Sequence, residues 1–118
     1  MNQQTLRIVV TVTAILTALI HLYYALFLIG PTEALGILFI LNALGYLGLL
    51  LAYLGKLSFL RLSHSLITWA FIAFTVVTIL AWIPMGDRSA LAYFTKLDEV
   101  VLLIALFLGR RSSRGEAA

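Results

Sequence analysis

The chain has 118 residues, 63% of them hydrophobic and only 11% charged, with a mean hydropathy of +1.08. A water-soluble domain carries roughly 25% charged residues, so this composition excludes a soluble fold of this size and makes lipid the solvent for most of its surface. The formal net charge of +3 does not argue for nucleic acid, because the basic residues cluster at the ends of apolar segments, and the lack of cysteine excludes disulfides, thiolate metal sites and iron–sulfur clusters.

A helix crossing the hydrocarbon needs about 20 mostly apolar residues. Four runs meet that length: 8–29, 34–54, 62–83 and 89–109. The first follows Arg7, as a signal peptide would, but it outlasts the roughly 7–15-residue apolar core of one, so it reads as a retained helix. Its Thr13, Thr17, His21 and Tyr24 are spaced by four, four and three, which places them on one face. Gly30-Pro31-Thr32-Glu33 reads as a turn, with Pro31 near a helix start, where its missing N–H costs nothing. The second run carries Asn42 and the small residues Gly36, Gly45, Gly48 and Ala52, which let helix backbones approach closely in lipid. Gly55 followed by Lys56 reads as a helix end. The third run has a stripe of His64, Thr68, Phe71, Thr75, Thr78 and Trp82, and Pro84 to Arg88 reads as a turn. The fourth contains Thr95, Lys96, Asp98 and Glu99 and leads into a polar tail at 113–118.

The expected architecture is an all-α integral membrane protein, a single domain over 1–112 forming an up-down-up-down four-helix bundle, since short loops make successive helices antiparallel neighbours. Arg7, Lys56, Arg61, Arg110, Arg111 and Arg114 share one side of that topology; Arg88 and an outward-reaching Lys96 lie on the other. The positive-inside bias then places both termini in the cytoplasm of a multi-pass cell-membrane protein, and Trp82, Tyr93 and Phe94 at the outer interface.

Polar groups in hydrocarbon are costly and need a partner or a task. With a rise of ~1.5 Å per residue, His21, Asn42, Thr75 and Asp98 all fall about 12 Å below the outer surface, one from each helix. The candidate ligand-binding set is therefore His21, Asn42, Thr75 and Asp98, with Glu99, Tyr24 and Thr17 beside them. His21 and Asp98 form the expected titratable pair, since an imidazole beside a carboxylate can hold or relay a proton. A purely structural role competes: these groups would satisfy one another, and single threonines commonly bond back to their own helix. Asp98 and Glu99 lie about 100° apart and cannot both face the bundle, while Lys96 and Glu99 are spaced for an ion pair.

Haem, metal and nucleotide chemistry find little support. His64 and His21 differ by ~17 Å in depth and cannot clamp one haem iron. A metal would have only His21, an acid and Asn42, and there is no phosphate loop, nucleophile elbow or HExxH. No cofactor is expected. The small multidrug exporters share this size and helix count but carry an acidic residue in their first helix, where this chain has His21.

Ile20-His21-Leu22-Tyr23, Leu44-Gly45-Tyr46-Leu47-Gly48 and Lys96-Leu97-Asp98-Glu99-Val100-Val101 are similar to segments of uncharacterised small four-span prokaryotic membrane proteins. The resemblance implies the fold and no activity, and it points again at His21 and Asp98. Three functions remain open: an outer-half pocket binding or conducting a small ligand, ion or proton; an accessory subunit, as a homo-oligomer or in a larger membrane complex; and a lipid-acting enzyme with His21 and Asp98 as acid and base.

Overall fold

In a computed structural model that describes residues 2–85 and 88–117, the chain has four α-helices, with no strand among the described residues. They are α1 (Gln3–Tyr23), α2 (Ala34–Tyr53), α3 (His64–Met85) and α4 (Ala90–Ala117). A π-helical segment, Tyr24–Ile29, prolongs α1, and a 3-10 turn, Ser58–Leu60, lies between α2 and α3.

Helix ends are set by local chemistry. Asn2 caps α1, its side-chain oxygen accepting the Thr5 N–H at 2.8 Å. Ser63 and Ser89 cap α3 and α4 in the same way, accepting the N–H groups of Leu66 and Ala92. At the end of α2, Gly55 takes φ +81°, its N–H bonds to Ala52 O, and the Lys56 N–H reaches back to Leu51 O. That pair of bonds is a Schellman cap, which a glycine adopts without a Cβ penalty. Pro84 lies inside the last turn of α3, and the turn read over Pro84 to Arg88 falls partly at 86–87, outside the described residues. Helix α4 runs on to Ala117, past the apolar run that ends near Gly109 and through most of the segment read as a polar tail.

Helix α1 packs against α2 and α4, and α3 closes the ring against the same two helices. Neighbours are antiparallel. Gln3 Nε2 at the start of α1 donates to Gly109 O late in α4, whereas Tyr24 just after α1 bonds Ser89 just before α4. Asn42 early in α2 bonds Thr78 late in α3, and the Tyr53 and His64 rings meet at the opposite end. One end of the bundle, called here the far end, is filled by Leu6, Val10, Leu50, Tyr53, Phe71 and Leu106, all buried. Two glycines permit close approach. A methyl at Gly36 would overlap the Gly30 carbonyl oxygen, and one at Gly45 would overlap the Phe74 ring. Gly48, by contrast, faces open space.

The outside is apolar: Val12, Leu44, Val77 and Leu97 are each more than half exposed. Soluble monomers rarely show apolar patches beyond a few hundred Å². The segments Gln3–Ile29, Ala34–Tyr53 and His64–Pro84 are long and apolar enough to cross a membrane. Helix α4 has the length, but Lys96, Asp98 and Glu99 interrupt its apolar run.

Candidate functional site

The centre of the site is Glu99, whose side chain is fully buried. Its helix places it opposite the Thr17–His21 face of α1 and the ring of Tyr46 on α2. Thr17 Oγ1 donates to Glu99 Oε2 at 2.8 Å and the Tyr46 hydroxyl donates to the same oxygen at 3.2 Å. Lys96 Nζ lies 2.5 Å from Oε1, in ion-pair contact one helical turn away, though off the line a hydrogen bond prefers. His21 Nε2 is 4.0 Å from Oε2. Its other nitrogen, Nδ1, is 2.7 Å from the Thr17 carbonyl oxygen. A carbonyl can only accept, so Nδ1 carries the hydrogen. The Nε2 gap to Glu99 is far longer than the 2.7–2.9 Å of a charge-assisted bond, so the two groups face each other without a hydrogen bond between them.

Between this cluster and the bundle end at Tyr24 and Ser89 lies a cavity of about 380 Å³, with His21, Tyr24, Phe39, Trp82 and Lys96 on its walls. A second lobe of about 220 Å³ shares His21, Leu35, Phe39, Trp82 and Lys96 with it and adds Asn42 and Thr78. The cavity reaches the bundle end where Leu28, Ile29 and Leu35 stand, hereafter its mouth. The walls are mainly aliphatic and aromatic. Among the described residues Lys96 is the one lining residue with a formal charge, since Glu99 lies behind it. Tyr46, packed edge-on against Phe74 at 4.8 Å and close to Phe71 at 6.3 Å, lies at the boundary with the apolar core.

Local geometry shapes the mouth. The Gly30 N–H bonds to Ala25 O, five residues back, which is the π-helical step. Such segments are often found at functional sites. Gly30 then takes φ +112°, and Gly36 presses against its carbonyl oxygen. The Tyr24 hydroxyl and Ser89 Oγ, 2.8 Å apart, tie the π-helical segment to the cap of α4. Arg88 stacks over Trp82 at 4.1 Å, and Trp82 meets Tyr93 edge-on at 5.3 Å.

Of the residues singled out in the sequence, Thr17, His21 and Glu99 come together. Tyr24 and Asn42 line the two lobes. Asn42 Nδ2 donates to Thr78 at 2.8 Å, and its buried Oδ1 has no hydrogen-bond partner. Thr75 is buried but donates to Phe71 O of its own helix. Asp98 is buried too, and its Oδ2 has no partner. The acid opposite His21 is thus Glu99, not Asp98, because one residue along α4 turns the side chain by about 100°. Lys96 and Tyr46 join the cluster, and Phe39 and Trp82 the walls, although none was singled out as a ligand-binding residue. The i, i+3 spacing of Lys96 and Glu99 was the signal for the ion pair; Tyr46, Phe39 and Trp82 gave none beyond being aromatic. His64, packed on Tyr53 at 5.1 Å, belongs to the far end. Among the described residues no three histidine, cysteine or acidic side chains gather as metal ligands would.

No curated protein and no solved structure matches this chain. A family of unknown function, DUF7475, matches residues 1–108, and the chain belongs to that family.

Proposed function

We propose that the protein is a small-ligand-binding membrane protein whose four helices all span the bilayer, with both termini in the cytoplasm and the cavity mouth outside. The observation that carries the reading is a two-lobed cavity with a buried ion pair at its floor, Lys96–Glu99, and His21 beside it. Small-molecule sites are mostly apolar with a few convergent polar groups, and ionisable residues inside a membrane are functional candidates by default. The packed rings and aliphatic side chains of the far end favour a one-sided binding site over a through-pore. The orientation rests on the excess of Lys and Arg at the far end and on the aromatic pair Trp82–Tyr93 beside the mouth.

The chain has no cysteine, so single cysteines report cleanly. Leu35→Cys and Phe39→Cys, on the cavity wall, should react with a membrane-impermeant maleimide added outside the cell, and Leu50→Cys, in the core, should not. Labelling of the first two only from the cytoplasmic side would overturn the orientation. No labelling from either side, with Ser89→Cys still reactive from outside, would overturn the open pocket.

A further inference from the structure

We infer that the cavity takes a small monocarboxylic acid, bound as the carboxylate on Lys96 with its proton on His21 Nε2. This deepens the pocket reading and rests on it. The walls offer an acidic ligand one charged anchor, the Lys96 ammonium, and for its body the faces of Phe39 and Trp82 and the aliphatic side chains around them. Lys96 has three N–H donors on a flexible stem, of which the Glu99 contact occupies one direction. Glu99 does not depend on Lys96 alone, because Thr17 and Tyr46 both donate to its other oxygen.

Charge balance supplies the proton. Lys96 and Glu99 cancel, so a carboxylate entering alone would leave a net negative charge among mainly apolar walls, which is costly. The floor holds two groups able to take a proton, Glu99 and His21; Lys96, Thr17 and Tyr46 already occupy the Glu99 oxygens, which leaves the His21 imidazole to take it. His21 Nε2 faces Glu99 Oε2 across 4.0 Å, within reach of an ion pair once the imidazole is protonated. A proton on Nε2 turns that gap into a donor–acceptor pair with a carboxylate and restores neutrality. Among the described residues around His21, α1 contributes Thr17 and the segment after it Tyr24, α2 contributes Tyr46 and Phe39, and α4 contributes Lys96 and Glu99, the last being the one competing acceptor. The α3 residues lining the lobes carry no titratable side chain, and Asp98 neighbours the cluster on α4 with its Oδ2 unbonded. In the step itself the acid O–H breaks and N–H forms at Nε2. The bonding pair stays on the carboxylate oxygen, which turns to Lys96 Nζ. One cation and one proton site match a monoanion, and phosphate, mono- or dianionic, brings no apolar body to lie against Phe39 and Trp82. A main lobe of about 380 Å³ is near the low end for ligand sites, which suits a short or single-ring acid.

The test uses the full chain in lipid nanodiscs and benzoate, benzamide and inorganic phosphate as probes. Calorimetry at neutral pH in buffers of different ionisation enthalpy counts the protons taken up. Benzoate should bind with close to one proton, and benzamide and phosphate should bind at least about tenfold more weakly, the scale of one charge-assisted hydrogen bond. Lys96→Met should weaken benzoate by a similar factor while Lys96→Arg retains binding, and His21→Gln should remove the proton uptake. Benzoate binding without proton uptake, or benzamide or phosphate binding as well as benzoate, would overturn the inference. So would no benzoate binding at all; if Phe39→Cys is still labelled from outside, the pocket reading survives that failure, and if it is not, both fall.

Discussion

Neutralising Glu99 tests whether the buried cluster is charged in the folded protein. At a separation of 2.5 Å and an effective permittivity of ~20, Lys96 and Glu99 attract by roughly 6–7 kcal/mol. Removing two ions from water costs several kcal/mol each, so the pair as a whole adds little, but stripping one partner strands the other at a cost of about 3–5 kcal/mol. Glu99→Gln keeps an acceptor for Thr17 and Tyr46 and so isolates the charge. The stranded Lys96 side chain is 13% exposed, through the cavity it lines, which lets water share its charge and places the expected loss near the low end, about 3 kcal/mol. Lys96→Met should cost a similar amount, and the double variant should return to within about 1 kcal/mol of wild type, because no buried charge is left unmatched. Reversible unfolding in mixed micelles, followed by the fluorescence of Trp69 and Trp82, measures all four corners of the cycle. Additive single losses, or a Glu99→Gln variant as stable as wild type, would refute the ion-pair account and mean that Glu99 is neutral in the bundle.

Three further outcomes follow from the packing. Tyr46→Phe removes one hydrogen bond to a charged acceptor and should cost about 1.5–3 kcal/mol in the same assay, with the helix content unchanged by circular dichroism. Gly36→Ala drives a methyl into the Gly30 carbonyl oxygen, which is backbone and cannot swing aside, and should cost about 3 kcal/mol, the upper range for overpacking. Gly45→Ala meets the Phe74 ring instead, so adding Phe74→Leu should recover much of a loss of about 1–3 kcal/mol, whereas the same second change should do nothing for Gly36→Ala.

Much of the fold was legible because its signals are local. Apolar run length placed the second helix within one residue of α2, and Gly55 closed it with the expected cap. The third and fourth runs, read as starting at 62 and 89, begin one or two residues early, because Ser63 and Ser89 are caps and not helix. Depth along the helices also carried information: His21 of α1 and Glu99 of α4 do meet. Azimuth did not. A rise of ~1.5 Å per residue barely separates Asp98 from Glu99 in depth, yet the ~100° turn between them decides which reaches Thr17 and Tyr46. Nor does a sequence show that buried threonines divide, with Thr17 donating across the bundle and Thr75 back to its own helix. Phe39 reads as an ordinary apolar residue and Trp82 as an interfacial ring, because what makes them walls is the space left between four helices, and that space belongs to no single segment.

The π-helical segment at Tyr24–Ile29 has a consequence for how this chain tolerates changes of length. A turn closed over five residues holds slack that an α-helical turn lacks. A residue deleted between Tyr24 and Ile29 can be absorbed by rewinding to the tighter spacing, which leaves the Thr17–His21 face in register with α4. A residue deleted between Leu6 and Thr17 has no such outlet: everything on one side of the cut must rotate by about 100° against the other. The tolerance for gaps along the first helix is therefore concentrated in its last six residues, at the cavity mouth.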